Sequence, residues 1–250
     1  MPLYVPEDCK TLKEAVTRVE QDQRITTIVL GEGSHVVEVF KSKWGGKSKW
    51  DCNHLKINSA MHIVGRPDVP KEKIVVVGGI WFKKGIKEDC HLQHLTLQSK
   101  KSGVFGGSSF TMEDVLVEQC GWHGVVAYGS TGAIGRCTNV EVRQCGYSGV
   151  CASNGASITL IGAKTTVHHN CTAGNRVTCG LTVRGSFSST IQLISPLTKE
   201  HVAIDNGGSG NWGALDGGDI HQIKTITANT ASSLARKAAR KAARKVARKD

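Results

Sequence analysis

Short runs of alternating apolar and polar residues fill the middle of the chain, each closed by Gly, Ser or Asn. Alternation with a period of two predicts half-buried strands. The run Val115-Leu116-Val117-Glu118-Gln119-Cys120-Gly121-Trp122-His123-Gly124-Val125 recurs as Val140-Glu141-Val142-Arg143-Gln144-Cys145-Gly146-Tyr147-Ser148-Gly149-Val150. A weaker copy spans Thr165 to Gly174, and a shorter one Leu95 to Val104. Val117, Val142 and Val167 are 25 residues apart, and so are Gly124, Gly149 and Gly174. One such unit cannot bury its apolar face alone, whereas units stacked about 4.8 Å apart can. A repeat of this length leaves no room for a helical crossover. It predicts an all-β fold, a parallel β-helix built as a single-stranded solenoid.

Stacking turns each repeated position into a column. The Val117/Val142/Val167 column is expected to point into the core, and the Gly124/Gly149/Gly174 column to sit at a turn needing positive φ. Cys120, Cys145 and Asn170 fall at an inner turn, with the Asn amide bonded to backbone. Metal binding by these cysteines is the alternative, but no His pair shares their column. Glu118, Arg143 and His168 fall on the outer face, followed by Gln119, Gln144 and His169. Glu beside Arg beside His reads either as an acid/base site or as a charge-compensated surface ladder, and the ladder is favoured. Trp122 and Tyr147 occupy equivalent turn positions and read as a sugar-stacking platform or as residues packing on their own coil.

Near the N-terminus the spacing changes. Thr11-Leu12-Lys13-Glu14 is a capping box, followed by Leu12, Ala15, Val16 and Val19 at helical spacing. Such a helix would cover an open β-helix end, whose unpaired edges invite aggregation. The order Thr11-Leu12-Lys13-Glu14-Ala15-Val16, then Ile28-Val29-Leu30-Gly31, His62-Ile63-Val64-Gly65 and Ile74-Val75-Val76-Val77-Gly78-Gly79 resembles the opening of the pectin-lyase-like, right-handed parallel β-helix repeat proteins. The Gln-Cys-Gly-x-x-Gly-Val units resemble their repeats, in which Asn often replaces Cys. The resemblance covers roughly residues 3–225. It implies a right-handed β-helix over 25–228 behind an N-terminal cap over 1–24, and the residues beyond it, 229–250, read separately as a basic tail. It does not imply one function, because the same fold serves polysaccharide lyases, hydrolases and epimerases as well as binding proteins.

The catalytic signatures of those enzymes are not found. The chain contains no Asn-Thr-Asp, adjacent Asp-Asp, Gly-His-Gly or Arg-Ile-Lys, no Asp-Pro-His-Asp, and no Arg-x-Pro-x-x-Arg. Asp205-Asn206-Gly207-Gly208 and Asp216-Gly217-Gly218-Asp219 lack the spacing of a Ca²⁺ loop and read as turns. Neither a metal set nor a cofactor motif emerges. A segment around Trp44 and Trp50 interleaves Lys with Trp and reads as a solvated loop, with grip on an anionic polymer as the alternative.

Charge and cysteine use complete the picture. Of the net charge of +11, residues 232–250 supply +7. There Arg236, Lys237, Arg240, Lys241, Arg244, Lys245, Arg248 and Lys249 recur every four residues among Ala, a good helix former. A helix would align them as a basic stripe facing a polyanion such as nucleic acid, with too little apolar area for membrane insertion; a solubilising or localisation tail is the equal alternative. The nine cysteines are odd in number and not spaced as a disulfide scaffold, and no secretory signal is seen. Reduced, mainly buried thiols in an intracellular compartment are expected, cytoplasmic or nuclear. The sequence reading is a non-catalytic β-helix scaffold that binds a polyanion through its tail and a protein or polysaccharide along its flank. The alternative is a carbohydrate-active enzyme. Deleting residues 232–250 is expected to abolish binding to duplex DNA and leave the melting midpoint unchanged. In the full chain, log K should fall by about 0.9 per neutralised phosphate for each unit of log salt. Equal affinity of the two chains in a salt titration would refute the tail's role.

Overall fold

The computed structural model describes residues 1–22, 24–37, 54–129, 133–174, 177–185 and 188–230. The basic tail from 231 onward, Trp44, Trp50 and Cys52 lie outside them. The chain is predominantly β, and every strand pairing is parallel. One sheet has seven strands, His54–Ile57, Gly79–Phe82, Val104–Gly106, Val125–Tyr128, Val150–Ser153, Leu181–Arg184 and Trp212–Leu215, each paired with the next. The other has fourteen, among them the long strands Cys90–Gln98 and Phe110–Glu118. The chain visits one sheet, then the other, and returns one rung further on. This order is compatible with a β-helix-like solenoid.

The core lies between the sheets. Leu55, Ile80, Val104, Val125, Val150 and Leu181 form one inward row, each at most 5 % exposed. Val117, Val142 and Val167 pair rung to rung on the facing sheet, at most 1 % exposed, as their spacing predicts. The helix Leu12–Gln21 begins at Thr11, whose hydroxyl accepts the Glu14 amide at 3.1 Å, while the Glu14 carboxylate accepts the Lys10 amide at 3.0 Å. It buries Leu12, Ala15, Val16 and Val19 in the same core as Val5, Ile28 and Leu30. The segment ahead of it is itself a strand, since Leu3–Val5 pairs in parallel with Thr27–Leu30.

Each turn of the chain bends at corners where φ is positive. His94, Asp114, Asn139 and Gly162 form one such column, with φ of 52°, 51°, 52° and 87°. Gln119, Gln144, His169 and Asp205 form a second (52°, 54°, 52°, 51°), and Gly129, Asn154, Gly185 and Asp216 a third. A single left-handed residue redirects the strand without a loop, as at Asp114 in mid-strand.

The expected glycine column is corrected on two counts. Gly103, Gly124, Gly149 and Gly180 are the stacked set, linked by amide bonds from Val104 to Gly124, Val125 to Gly149 and Val150 to Gly180. Gly174 lies outside it, in a coil six residues longer than the one before it. None of the four stacked glycines has positive φ. They are required because the neighbouring coil passes too close. A Cβ on Gly149 would collide with Val167 Cγ1 and stand 2.7 Å from Asn170 Nδ2. A Cβ on Gly174, where φ is +69°, would meet nothing within 4 Å. Gly149→Ala is therefore expected to cost about 1–3 kcal/mol by overpacking. Gly174→Asn, a residue that tolerates left-handed backbone, should stay within about 0.5 kcal/mol. Denaturant midpoints of the two variants would check this. Equal losses would show that close approach is not the constraint.

Candidate functional site

Two outer surfaces carry the residues with chemistry. On the flank of the larger sheet, Glu118, Arg143 and His168 align rung to rung. Arg143 donates through Nε and Nη2 to Glu118 Oε2 at 3.0 and 2.8 Å, and through Nη1 to Glu141 Oε1 at 2.9 Å. Gln98 Nε2 donates to the other Glu118 oxygen at 2.9 Å. His168 Nε2 lies 3.2 Å from Glu141 Oε1, and its Nδ1 lies 2.7 Å from His169 Nδ1. Glu118 is largely buried, its side chain 12 % exposed. An acid held by a bidentate guanidinium and an amide has no free oxygen to offer a substrate proton. The geometry matches the charge-compensated ladder.

Below the ladder, Cys120, Cys145 and Asn170 are buried at the inner turn. Asn170 Oδ1 accepts the Cys145 amide at 3.1 Å, and its Nδ2 donates to the Val142 and His168 carbonyls at 3.0 Å. Asn206 continues the column, donating to the Val167 carbonyl at 2.9 Å. The acidic stretch at 205–208 is thus a structural turn. The eight cysteines among the described residues are all buried and free. Burial pushes the Cys137 and Cys151 thiols up to about 12, so they stay protonated and weakly nucleophilic.

The outer face of the seven-stranded sheet differs. One row in register reads Lys56, Trp81, Phe105, Val126, Cys151 and Thr182. Trp81 and Phe105 meet edge to face at 5.8 Å, and Phe105 and the exposed Tyr128 at 5.7 Å. Lys83 Nζ stands 3.9 Å over the Trp81 ring, with Lys56 Nζ at 5.9 Å. Alternation along a strand explains the placement: Leu55, Ile80 and Val104 face the core, so their neighbours face out. Towards the C-terminal end the row becomes the floor of a cleft of about 260 Å³, lined by Cys151 and Thr182, with His123, Tyr147, Arg184 and Asp216 as walls. Trp122 and Tyr147 stack at 6.4 Å with an interplanar angle of 11°, and Lys101 Nζ stands 4.1 Å over Trp122. Of the pair read as a sugar platform or as coil packing, Tyr147 lines this cleft, and His123 meets it edge-on at 5.4 Å.

Trp81, Phe105, Tyr128 and Lys83 escaped the sequence reading. They lie in coils of 24, 21 and 25 residues, so no motif repeats around them. The alternation in Gly79–Phe82 and Val104–Gly106 was the available signal. Comparison with protein-family models, with curated proteins and with solved structures finds no match.

His123 adds a pH dependence. Burial, with a smaller contribution from the charge of Arg184, pushes its ring down to about 4, and its Nδ1 is buried without a hydrogen-bond partner among the described residues. The unfolded ring takes up a proton near pH 6.5, and the folded ring refuses it until about 4. Acid therefore favours the unfolded chain across that window, while stability from this group is complete above about pH 6.5. Its loss should be on the order of 3 kcal/mol. His123→Gln should flatten the stability–pH curve between pH 6.5 and 4 relative to wild type, measured by urea unfolding. Parallel curves would show that the ring titrates normally.

Proposed function

We propose that the protein is a right-handed parallel β-helix of the pectin-lyase-like kind and acts as a non-catalytic binding scaffold. Parallel strands joined in one sheet by a crossover are right-handed in the great majority of proteins, which supports the hand. The helix Leu12–Gln21 serves as the cap on the first coil, its four apolar residues completing the core there. The outer face of the seven-stranded sheet holds an extended ligand with ring faces and negative charge, such as an acidic polysaccharide. The observation that carries this reading is the row of Lys56, Trp81 and Phe105, with Lys83 3.9 Å over the indole. Aromatic faces stack on sugar rings and lysines meet carboxylates, and rungs spaced about 4.8 Å apart suit a chain running across the strands. Arg236, Lys237, Arg240, Lys241, Arg244, Lys245, Arg248 and Lys249 form a second, polyanion-binding element. The buried free thiols support a reducing, intracellular setting.

The scaffold reading is favoured over an enzyme because Glu118, Arg143 and His168 are engaged with one another and with Glu141 and Gln98. Calorimetric titration with oligogalacturonate is the test. Trp81→Ala is expected to weaken binding about tenfold, the size of a lost stack plus a cation–π contact. Lys83→Ala should weaken it less and make it less salt-dependent. Unchanged affinity in Trp81→Ala would overturn the site. New reducing ends or unsaturated products after incubation would replace the scaffold by an enzyme.

A further inference from the structure

The outward row of the seven-stranded sheet changes size along its length. In register it runs from Trp81 and Phe105 through Val126 to Cys151, Thr182 and Gly213, so bulky side chains give way to small ones and then to none. Alternation points Cys151 and Thr182 away from the core, since their strand neighbours Val150, Ala152, Leu181 and Val183 are buried in it. Yet Cys151 and Thr182 are only 2 % and 0 % exposed. The coil that separates them is six residues longer than the one before it, and its last stretch is tied over the row. The Thr182 hydroxyl donates to the Cys179 carbonyl at 3.1 Å, and a Cβ on Gly213 would stand 2.5 Å from Cys179 Sγ. Cys179 thus closes the row at Gly213, and small side chains on the two rungs before it leave room for the cleft of about 260 Å³.

Two unlike walls face each other across this floor. His123 and Tyr147 come from the turns that lead into the strands Val125–Tyr128 and Val150–Ser153. Arg184 ends the strand Leu181–Arg184, and Asp216 follows its partner Leu215 in the left-handed corner, φ 49°. Asp216 Oδ2 accepts from Arg184 Nε at 2.5 Å. That bond uses one nitrogen of the guanidinium and one oxygen of the carboxylate. The two Nη nitrogens and Asp216 Oδ1 make no hydrogen bond among the described residues. Arg184 and Asp216 are also the only charged residues among those lining the cleft, and their charges cancel. Burial holds the Cys151 thiol up at about 12 and the His123 ring down at about 4, so both are neutral at neutral pH.

We propose that the cleft binds one uncharged pyranose ring, a neutral sugar unit unlike the acidic ligand of the Trp81–Lys83 row. A sugar hydroxyl both donates and accepts. One hydroxyl donates to Asp216 Oδ1 while its vicinal neighbour accepts from an Arg184 Nη, and the apolar C–H face of the ring lies on Tyr147. Charge selects the class. A uronate would gain Arg184 but set its carboxylate beside that of Asp216, and an amino sugar would set its ammonium beside the guanidinium. A neutral ring satisfies both partners with no charge left over. The volume lies below the range of pockets that hold drug-sized ligands, which suits a single ring.

The methyl glycosides of glucose, galactose and mannose, each beside its methyl uronoside, test the assignment by nuclear magnetic resonance titration of the full chain. At least one neutral glycoside should bind, shifting the ring signals of Tyr147 and His123 before other aromatic signals. It should bind about tenfold more tightly than its uronoside, the size of one charge-assisted contact opposed. Tyr147→Ala should weaken it about tenfold through loss of the stacking face. Asp216→Asn keeps a residue that tolerates the left-handed corner and leaves the Arg184 charge unbalanced. It should weaken the neutral glycoside and strengthen the uronoside. An unchanged preference in a folded Asp216→Asn chain would overturn the site. So would a wild-type chain that binds none of the three neutral glycosides, prefers a uronoside, or leaves the Tyr147 signal unmoved, whether or not the variants fold. None of these readouts uses Trp81 or Lys83, so failure here leaves the acidic-ligand row standing.

Discussion

Everything in this molecule depends on each coil landing in register on the one before it. Parallel strands bond only to neighbours about 4.8 Å away, so a residue's environment is set chiefly by its equivalents one rung to either side. The corners enforce this. Left-handed residues at the His94/Asp114/Asn139/Gly162 column and at the Gln119/Gln144/His169/Asp205 column bend the chain sharply at one point, and the flanking strands stay paired throughout. The corner at Asp114 is further held by its own side chain, which accepts from Lys71 Nζ at 2.6 Å and bonds His94 Nδ1 at 2.7 Å. Partial burial would raise the Asp114 carboxyl, but the bonds to Lys71 and His94 outweigh it and hold it low.

Close approach is the second consequence of register. Where the inner turn of one coil crosses the next, there is no space for a side chain, and Gly103, Gly124, Gly149 and Gly180 fill the column. The adjacent column tolerates side chains only if they satisfy the backbone they are pressed against. Asn170 and Asn206 do so with both ends of their amides. Cys120 and Cys145 do so more weakly, with the Cys145 thiol 3.4 Å from the Arg143 carbonyl. Cys and Asn can thus share the column because each is small and each finds a backbone partner.

The repeat was legible because Val117, Val142 and Val167, with Cys120, Cys145 and Asn170, keep a constant spacing wherever coils have equal length. Legibility failed where coil length changes. The step from Val150 to Leu181 is 31 residues, so counting by 25 lands on Gly174 rather than on Gly180. A repeated glycine also does not declare its reason, and here close approach, not positive φ, is the cause. The left-handed positions were hidden because Gln119, Gln144 and His169 are not residues that announce such a backbone. The aromatic row was hidden because Trp81, Phe105 and Tyr128 come from three coils of unequal length. The outer ladder was read correctly as a set, since equal coils placed Glu118, Arg143 and His168 together.

Register also explains why the two outer surfaces differ in character. At rung spacing, like charges repel, so a charged row must alternate in sign or alternate with neutral donors. The row Gln98, Glu118, Arg143, His168 obeys this and consumes its own charges. Aromatic rings have no such restriction. Trp81 and Phe105 sit side by side, both partly exposed, with Lys83 and Lys56 over the indole and in no ion pair among the described residues. A self-compensated row stabilises the solenoid by pairing its charges from rung to rung. The ladder fixes the His168 ring through Glu141, the left-handed corner brings His169 beside it, and on the next rung Ile204 follows His168 while Asp205 takes the corner beyond His169.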